Sequence, residues 1–218
     1  MMKQLKYTAQ FFTVNILVTL SFALIVFLGC LITGVPSGNI NLFATYYNMF
    51  PLMYLIIIFI LSFALCTSNL NLALSYGCRR RDFFWGIHLQ ILIYVLFGWI
   101  LTRCILLLPA LGNWNNHALR TLPFFDVSFP LYALLVMAVL LLGCTLGPLY
   151  IRSKWIGAAL MAVIILCGIS ITAALLYFSD NLSNFQTSIT CVFTAALIIL
   201  CMICEYFLYR CIHKATVR

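Results

Sequence analysis

Of the 218 residues, 65% are hydrophobic and only 7% are charged. Soluble domains typically carry about 25% charged residues, so this composition excludes a water-soluble globular protein and indicates an integral membrane protein. The formal net charge of +8 at pH 7 would suggest nucleic-acid binding in a soluble protein. Here the basic residues lie beside long apolar runs, which argues against nucleic acid as a partner and points to membrane orientation.

The apolar runs define the predicted fold. A helix needs about 20 mostly apolar residues to cross a bilayer. Six runs reach that length, and they are continuous rather than alternating, which excludes a β-barrel. We therefore predict an all-α, six-span membrane domain over residues 1–218. The predicted spans are approximately residues 12–33, 50–74, 84–109, 130–151, 155–178 and 188–211.

The dozen residues at the N-terminus predict a further, shorter element. Met2, Leu5, Ala9 and Phe12 recur at helical spacing and leave the polar residues elsewhere on the helix. This pattern is typical of a short helix in the membrane interface. The apolar run that follows is longer than the roughly 7–15 residues of a signal-peptide core, so we expect a retained first span rather than a cleaved signal.

The basic residues predict the orientation of the spans. If six helices alternate in direction, ten of the twelve Lys and Arg residues fall on one side, and only Arg103 and Arg120 remain for the other. Positive residues are enriched on the cytoplasmic side, so we expect a multi-pass protein of the cell membrane with both termini in the cytoplasm. The ten are Lys3, Lys6, Arg79, Arg80, Arg81, Arg152, Lys154, Arg210, Lys214 and Arg218.

Several polar side chains occur near the cytoplasmic ends of the predicted spans. Asn15 starts the first span, Asn69 and Asn71 lie near the end of the second, and His88 and Gln90 begin the third. Amides and hydroxyls of this kind bond across helices or line a polar path. Together they suggest a polar vestibule that belongs to a translocation path.

Two charged residues lie inside predicted spans, where ionisable groups are functional candidates. Arg103 is near the outer end of the third span, and we favour a side chain that reaches the headgroups over one that attracts an anionic substrate in a cavity. Glu205 lies in the cytoplasmic part of the sixth span and needs a partner from another helix, such as His88 or a basic loop. A structural ion pair is the preferred interpretation over a proton relay.

No catalytic or metal-binding pattern stands out. The sequence contains no HExxH, GxSxG or GxxxxGK[ST] motif, and the three histidines fall at different depths. Cys201 and Cys204 form a CxxC inside the last span, but most of the ten cysteines lie in apolar runs, where free cysteine packs as a small hydrophobe. We therefore predict neither an enzyme, nor a bound metal, nor a bound cofactor.

The most distinctive stretch is SYGCRRRDFFWG, residues 75–86, between the second and third spans. Gly77 permits a helix to end, and a compact basic turn follows. Phe83, Phe84 and Trp85 are expected to hold this turn flat at the membrane interface. A rigid, charged loop of this kind is suited to receive force from a soluble partner.

NLALSYGCRRRDFFWG, residues 71–86, resembles a segment of the permease subunits of bacterial type-2 ABC exporters. A weaker likeness is GPLYIRSKWIG, residues 147–157, although Arg152, Ser153 and Lys154 stand where relatives often have Arg-Phe-Gly. The resemblance implies a short cytoplasmic coupling helix after the second span that docks on the ATPase. The coupling residues that it implies are Gly77, Arg79, Arg80, Arg81, Asp82, Phe83 and Phe84.

The resemblance also implies the partners. Two separate ABC ATP-binding subunits would carry ATP and Mg²⁺, and a second permease chain, identical or homologous, would complete the path through the lipid membrane. Amphipathic peptides, lipids and drugs are the implied substrates. The path residues then expected are Asn15, Asn69, Asn71, His88, Gln90, Arg103 and Glu205.

Two other functions fit the sequence pattern. A small-solute-binding membrane subunit of an importer would need a polar pocket near the outside, where Arg103, Asn113, Trp114, Asn115 and Asn116 are candidates. A non-transporting membrane partner, such as an immunity or assembly protein, would use its loops only to bind another membrane protein.

Overall fold

Residues 40–75 form a continuous helical stretch of 36 positions. The computed structural model describes these residues together with 79–111, 128–164 and 186–214, and the single positions Leu17, Val18, Ser21, Ile25 and Leu166. All regular structure in these residues is helical, which confirms the predicted all-α class. The elements are α1 Ile40–Ala64, a π-helical segment Leu65–Asn69, α2 Leu70–Ser75, α3 Arg80–Leu111, α4 Phe129–Arg152, α5 Lys154–Ile164 and α6 Gln186–Lys214.

Four of the described helices are long and apolar enough to cross a membrane, so the protein is a multi-pass membrane protein. They correspond to the predicted second, third, fourth and sixth spans. The predicted first span and the interfacial helix before it lie almost wholly outside the described residues, and the fifth span is described mainly as α5. The membrane-length segments are Phe50–Thr67, Arg80–Cys104, Phe129–Arg152 and Cys191–His213.

Helix α4 is the central helix of the described part. Half of its membrane-length segment is buried inside the protein, against 17% for the segment in α6. It packs against α1, the π-helical segment, α3 and α6. Val136, Leu140 and Leu141 are among its buried side chains, and they belong to one continuous core that all of these elements share.

Two glycines allow α4 to approach α1 closely. A Cβ at Gly143 would collide with the Ser62 hydroxyl and lie 2.8 Å from the Phe59 carbonyl oxygen, and one at Gly147 would lie 2.9 Å from the Cβ of Cys66. Gly143 and Gly147 are four positions apart, the small-residue spacing that lets membrane helices pack backbone to backbone. This GxxxG spacing is visible in the sequence and could have predicted the close contact between the two helices.

The π-helical segment lies where α1 meets α4. The Leu70 N–H donates to the Leu65 carbonyl, five residues back, and the Thr67 hydroxyl donates to the Phe63 carbonyl at 3.0 Å. A π-helical turn widens the helix and often occurs at functional positions. Here it begins three residues after Ser62 and carries Cys66, which lies against Gly147 of α4.

A tyrosine joins α1 to α3 deeper in the bundle. The Tyr54 hydroxyl donates to the Tyr94 carbonyl oxygen at 2.7 Å, and both residues are buried. The Tyr54 ring and the Tyr132 hydroxyl lie against Gly98, where any Cβ would collide with them. Because Tyr132 belongs to α4, this contact fixes three helices at one level.

The junction between α4 and α5 is a single residue. Ser153 has an extended backbone, with φ −147° and ψ 104°, and its N–H donates to the Leu149 carbonyl. The Gly157 N–H then donates to the Ser153 carbonyl at 3.0 Å. A Cβ at Gly157 would lie only 2.5 Å from the Cα of Tyr150, so the tight turn requires glycine there.

Candidate functional site

The beginning of α3 packs on the end of α6, and this junction carries the basic turn at residues 79–84. The Arg80 Nη1 donates to the His213 carbonyl oxygen at 2.7 Å. The last carbonyls of a helix have no partner within the helix, and positive charge is favoured beside them. Since α6 ends at Lys214, Arg80 caps α6 from a different helix.

Aromatic rings strengthen this junction. The Phe84 ring meets the Tyr209 ring edge to face, with centroids 5.7 Å apart, and the Tyr209 ring stacks on the His213 ring at 4.6 Å. Phe84 also lies against the His88 ring, with centroids 4.5 Å apart. The start of α3 is thus attached to α6 by a guanidinium–carbonyl bond and by ring contacts one turn further along.

Residues 80–84, which the resemblance assigned to a short coupling helix, form the first turn of α3 itself. The Phe83 N–H donates to the Arg79 carbonyl at 3.0 Å, which starts the helix. Asp82 lies in this first turn, where a carboxylate is favoured by the helix dipole. The helix is not interrupted between Arg80 and Gly86, so the basic turn and the membrane-length segment belong to one continuous helix.

The exposure of the implied coupling residues divides them into two groups. Phe83 and Phe84 are half-buried and pack against the core, whereas Trp85 is 62% exposed. Gly77 lies outside the described residues. The exposed members of the group are Arg79, Arg80, Arg81 and Asp82.

Glu205 pairs with a side chain of another helix, as expected for a carboxylate in an apolar helix. The Nε2 of His88 lies 2.6 Å from the Oε1 of Glu205, which joins α3 to α6 a second time, and the two side chains are 31% and 39% exposed. The Nδ1 of His88 lies 2.9 Å from the Phe84 carbonyl oxygen. The prediction that another helix supplies a partner to Glu205 is therefore confirmed, with His88 as that partner.

The two other path residues with described side chains, Gln90 and Arg103, do not join this pair. Gln90 is 4% exposed and its amide nitrogen has no hydrogen-bond partner among the described residues. Arg103 is fifteen positions beyond His88, or about 22 Å along the helix, with its guanidinium 4.2 Å from the centroid of Trp99. Asn15 and the side chains of Asn69 and Asn71 lie outside the described part. Of the four predicted path residues whose side chains the structure describes, two, His88 and Glu205, are brought together.

Basic residues gather at one end of the described bundle. The Arg80 contact brings the start of α3 to the end of α6, and Arg152 at the end of α4 lies within electrostatic range of Cys211 on α6. Arg210 lies over the Tyr206 ring at 5.2 Å. Arg103, in contrast, is near the far end of α3. Among the described residues, these basic side chains lie at three helix ends, the start of α3 and the ends of α4 and α6.

Four cysteines of the described residues, Cys66, Cys144, Cys201 and Cys204, are buried and serve packing. Cys201 and Cys204 are buried and begin a stripe on α6 that continues with Leu208 and Ile212. Cys144 of α4 donates to the Ser62 carbonyl at 3.7 Å. Within the described ranges, no group of three or more His, Cys, Asp or Glu side chains is arranged to hold a metal ion.

No family model, curated protein or solved structure matches this chain. Its function therefore has to be argued from the junction of α3 with α6 and from the charges around it.

Proposed function

We propose that this chain is the transmembrane subunit of an ATP-driven exporter of the type-2 ABC class. It would form half of the translocation path, with a second permease chain as the other half. Two separate ATP-binding subunits would dock at the end of the bundle where the basic residues gather. In this proposal that end faces the cytoplasm, in keeping with the enrichment of positive charge there.

The observation that carries the proposal is the rigid attachment of an exposed basic turn to the helix bundle. Arg79 and Arg81 are exposed at the very start of α3, while Arg80 and Phe84 tie the same turn to α6. A loop that receives force must not absorb it. Because residues 80–84 are the first turn of a 32-residue helix, movement of this turn would displace α3 as a whole.

The proposed cycle follows from this attachment. ATP binding would close the two ATPase subunits and move the basic turn with them. The movement would pass along α3 and, through the Arg80 and Phe84 contacts, into the end of α6. The substrate path would then change between two global states, and transport requires that the substrate binds these states unequally.

The experiment reverses one charge on the exposed face of the basic turn and keeps the hydrogen bond from Arg80 to the His213 carbonyl. Arg81→Glu reverses the charge of an exposed residue that does not hold α6. We expect this variant to insert normally and to lose copurification of the ATPase, whose docking surface should be acidic by charge complementarity. Arg81→Lys should retain binding if charge alone is recognised.

The matched control is Lys154→Glu, which makes the same change of charge at the same end of the bundle but on α5. It should leave ATPase association intact. Equal loss of association in both variants would show a general effect of net charge, and unchanged association and ATP turnover in Arg81→Glu would contradict the proposal.

A further inference from the structure

The two ring nitrogens of His88 both face oxygen atoms. The Nδ1 lies 2.9 Å from the Phe84 carbonyl oxygen and the Nε2 lies 2.6 Å from the Oε1 of Glu205. A carbonyl oxygen only accepts hydrogen bonds, so the Nδ1 must carry a proton. A neutral His88 in this position consequently has a bare Nε2 that points at Glu205.

The contact with Glu205 then depends on one further proton. A bare Nε2 opposite an ionised carboxylate places two lone pairs against each other, and a protonated Nε2 opposite a protonated carboxyl oxygen places two donors against each other. One proton between the two atoms gives a charge-assisted hydrogen bond, and the distance of 2.6 Å is that of a strong one. The pair is also electrically neutral in this state, whichever atom holds the proton.

The apolar surroundings of the pair increase the effect of this proton on the contact between α3 and α6. His88 and Glu205 belong to membrane-length segments of α3 and α6, where an unpaired charge is costly. The Phe84 and Trp85 rings flank His88 on α3, and the buried Thr145 of α4 lies near Cys204, the residue before Glu205. The other titratable or charged groups around the junction are Cys201, Cys204, Tyr209, Arg210, Cys211 and His213 on α6, Arg80 on α3 and Arg152 on α4.

We propose that His88 and Glu205 form a proton-binding site that joins α3 to α6 in its singly protonated state. Taking up one proton from the aqueous phase closes the Nε2–Oε1 hydrogen bond, and releasing that proton opens it. The Arg80 and Phe84 contacts remain in both states, so the site controls the junction one turn deeper than the basic turn. This inference concerns the chain by itself and does not require an ATPase partner.

Nitrogen-15 NMR of histidine-labelled protein in phosphatidylcholine vesicles tests the site directly. The chain has three histidines, so His117→Asn and His213→Asn assign the signals of His88. Between about pH 5 and about pH 9, we expect the Nδ1 of His88 to stay protonated throughout. The Nε2 signal should change from a strongly hydrogen-bonded, protonated nitrogen to a bare one as the pH rises.

Glu205→Gln is the decisive variant, because the glutamine amide N–H can donate to a bare Nε2. The junction is then kept without a carboxylate, and the Nε2 should be bare at pH values where it is protonated in the unaltered protein. A thermal melt in detergent should show an alkaline loss of stability for the unaltered protein and none for Glu205→Gln. Cys201→Ser with Cys204→Ser should keep the alkaline loss, which excludes the thiols as its source.

Two outcomes would overturn the inference. One is a neutral His88 with a bare Nδ1 and a protonated Nε2, since that tautomer cannot bond to the Phe84 carbonyl. The other is the same Nε2 titration in the unaltered protein and in Glu205→Gln, since the carboxylate would then hold no share of the proton.

Discussion

Arg80 donates to the carbonyl of His213 across 133 positions of sequence, so the first turn of α3 closes the last turn of α6. The contact combines a helix cap with a link between two membrane-length helices. Two of the three consecutive arginines therefore differ in their surroundings. Arg80 joins α3 to α6, whereas the side chain of its neighbour Arg81 is exposed.

The first prediction concerns this cap. Arg80→Ala should lower the thermal unfolding midpoint of the detergent-solubilised protein, corresponding to a loss of about 1 kcal/mol, because a charged donor is removed from helix-terminal carbonyls. Arg81→Ala is the matched control and should leave the midpoint unchanged. An equal decrease in both variants would mean that the contact contributes nothing beyond charge.

The second prediction concerns the close approach of α4 to α1. Gly143→Ala should destabilise the protein by about 1–3 kcal/mol, because the new methyl group meets the Ser62 hydroxyl and the Phe59 backbone carbonyl. Adding Ser62→Ala should restore only part of the loss, since the Phe59 carbonyl remains 2.8 Å away. Thermal unfolding in detergent measures both variants.

The control for this prediction is Gly86→Ala. Gly86 lies inside α3, and no atom comes within 4 Å of a Cβ placed there. Because alanine is favoured over glycine inside a helix by up to about 1 kcal/mol, this variant should be neutral or slightly more stable. A loss comparable to that of Gly143→Ala would refute the steric explanation.

The third prediction concerns the link between α1 and α3. Tyr54→Phe removes the hydroxyl that donates to the Tyr94 carbonyl and leaves the ring in place. We expect a loss of about 1 kcal/mol, typical of one buried hydrogen bond, in the same thermal assay. Tyr206→Phe, at an exposed tyrosine of α6, should have no measurable effect.

The fourth prediction separates two interpretations of Arg103. If its role is to anchor the outer end of α3, Arg103→Met should cost less than about 1 kcal/mol, the value of an exposed cation–π contact, and should leave transport unchanged. The change should be detectable in tryptophan fluorescence, because the guanidinium lies over the Trp99 ring. Abolished transport with an unaltered melting midpoint would favour an anionic substrate site instead.

The sequence predicts the features of this fold that depend on composition and on isolated charges. The apolar runs locate α3, α4 and α6 to within about four residues of their observed ends, and these long, continuous runs leave little alternative to membrane helices. Glu205 could be assigned a partner because a carboxylate in such a run requires one. His88 lies at the corresponding depth of another run, and the structure joins the two.

Other features depend on contacts between distant residues and could not be read from one sequence. The Arg80 cap on α6 needs the mutual placement of two helices, which charge patterns do not contain. The resemblance implied a short coupling helix after the second span but not its continuity with the third. Residues 80–86 contain no proline, and a single glycine is tolerated within a helix, so the helix of the span extends through them. The Gly143–Gly147 spacing was a usable signal that was overlooked.

The one-residue junction at Ser153 has a mechanical consequence for the periphery of the bundle. Hydrogen bonds on both sides of Ser153 connect α5 directly to the central α4, without a flexible loop between them. With about 1.5 Å of rise per residue, the described part of α5 extends about 16 Å. If α5 turns together with α4, a rotation of about 10° would move the far end of α5 by about 3 Å. A small tilt of α4 would therefore move the far end of α5 with it.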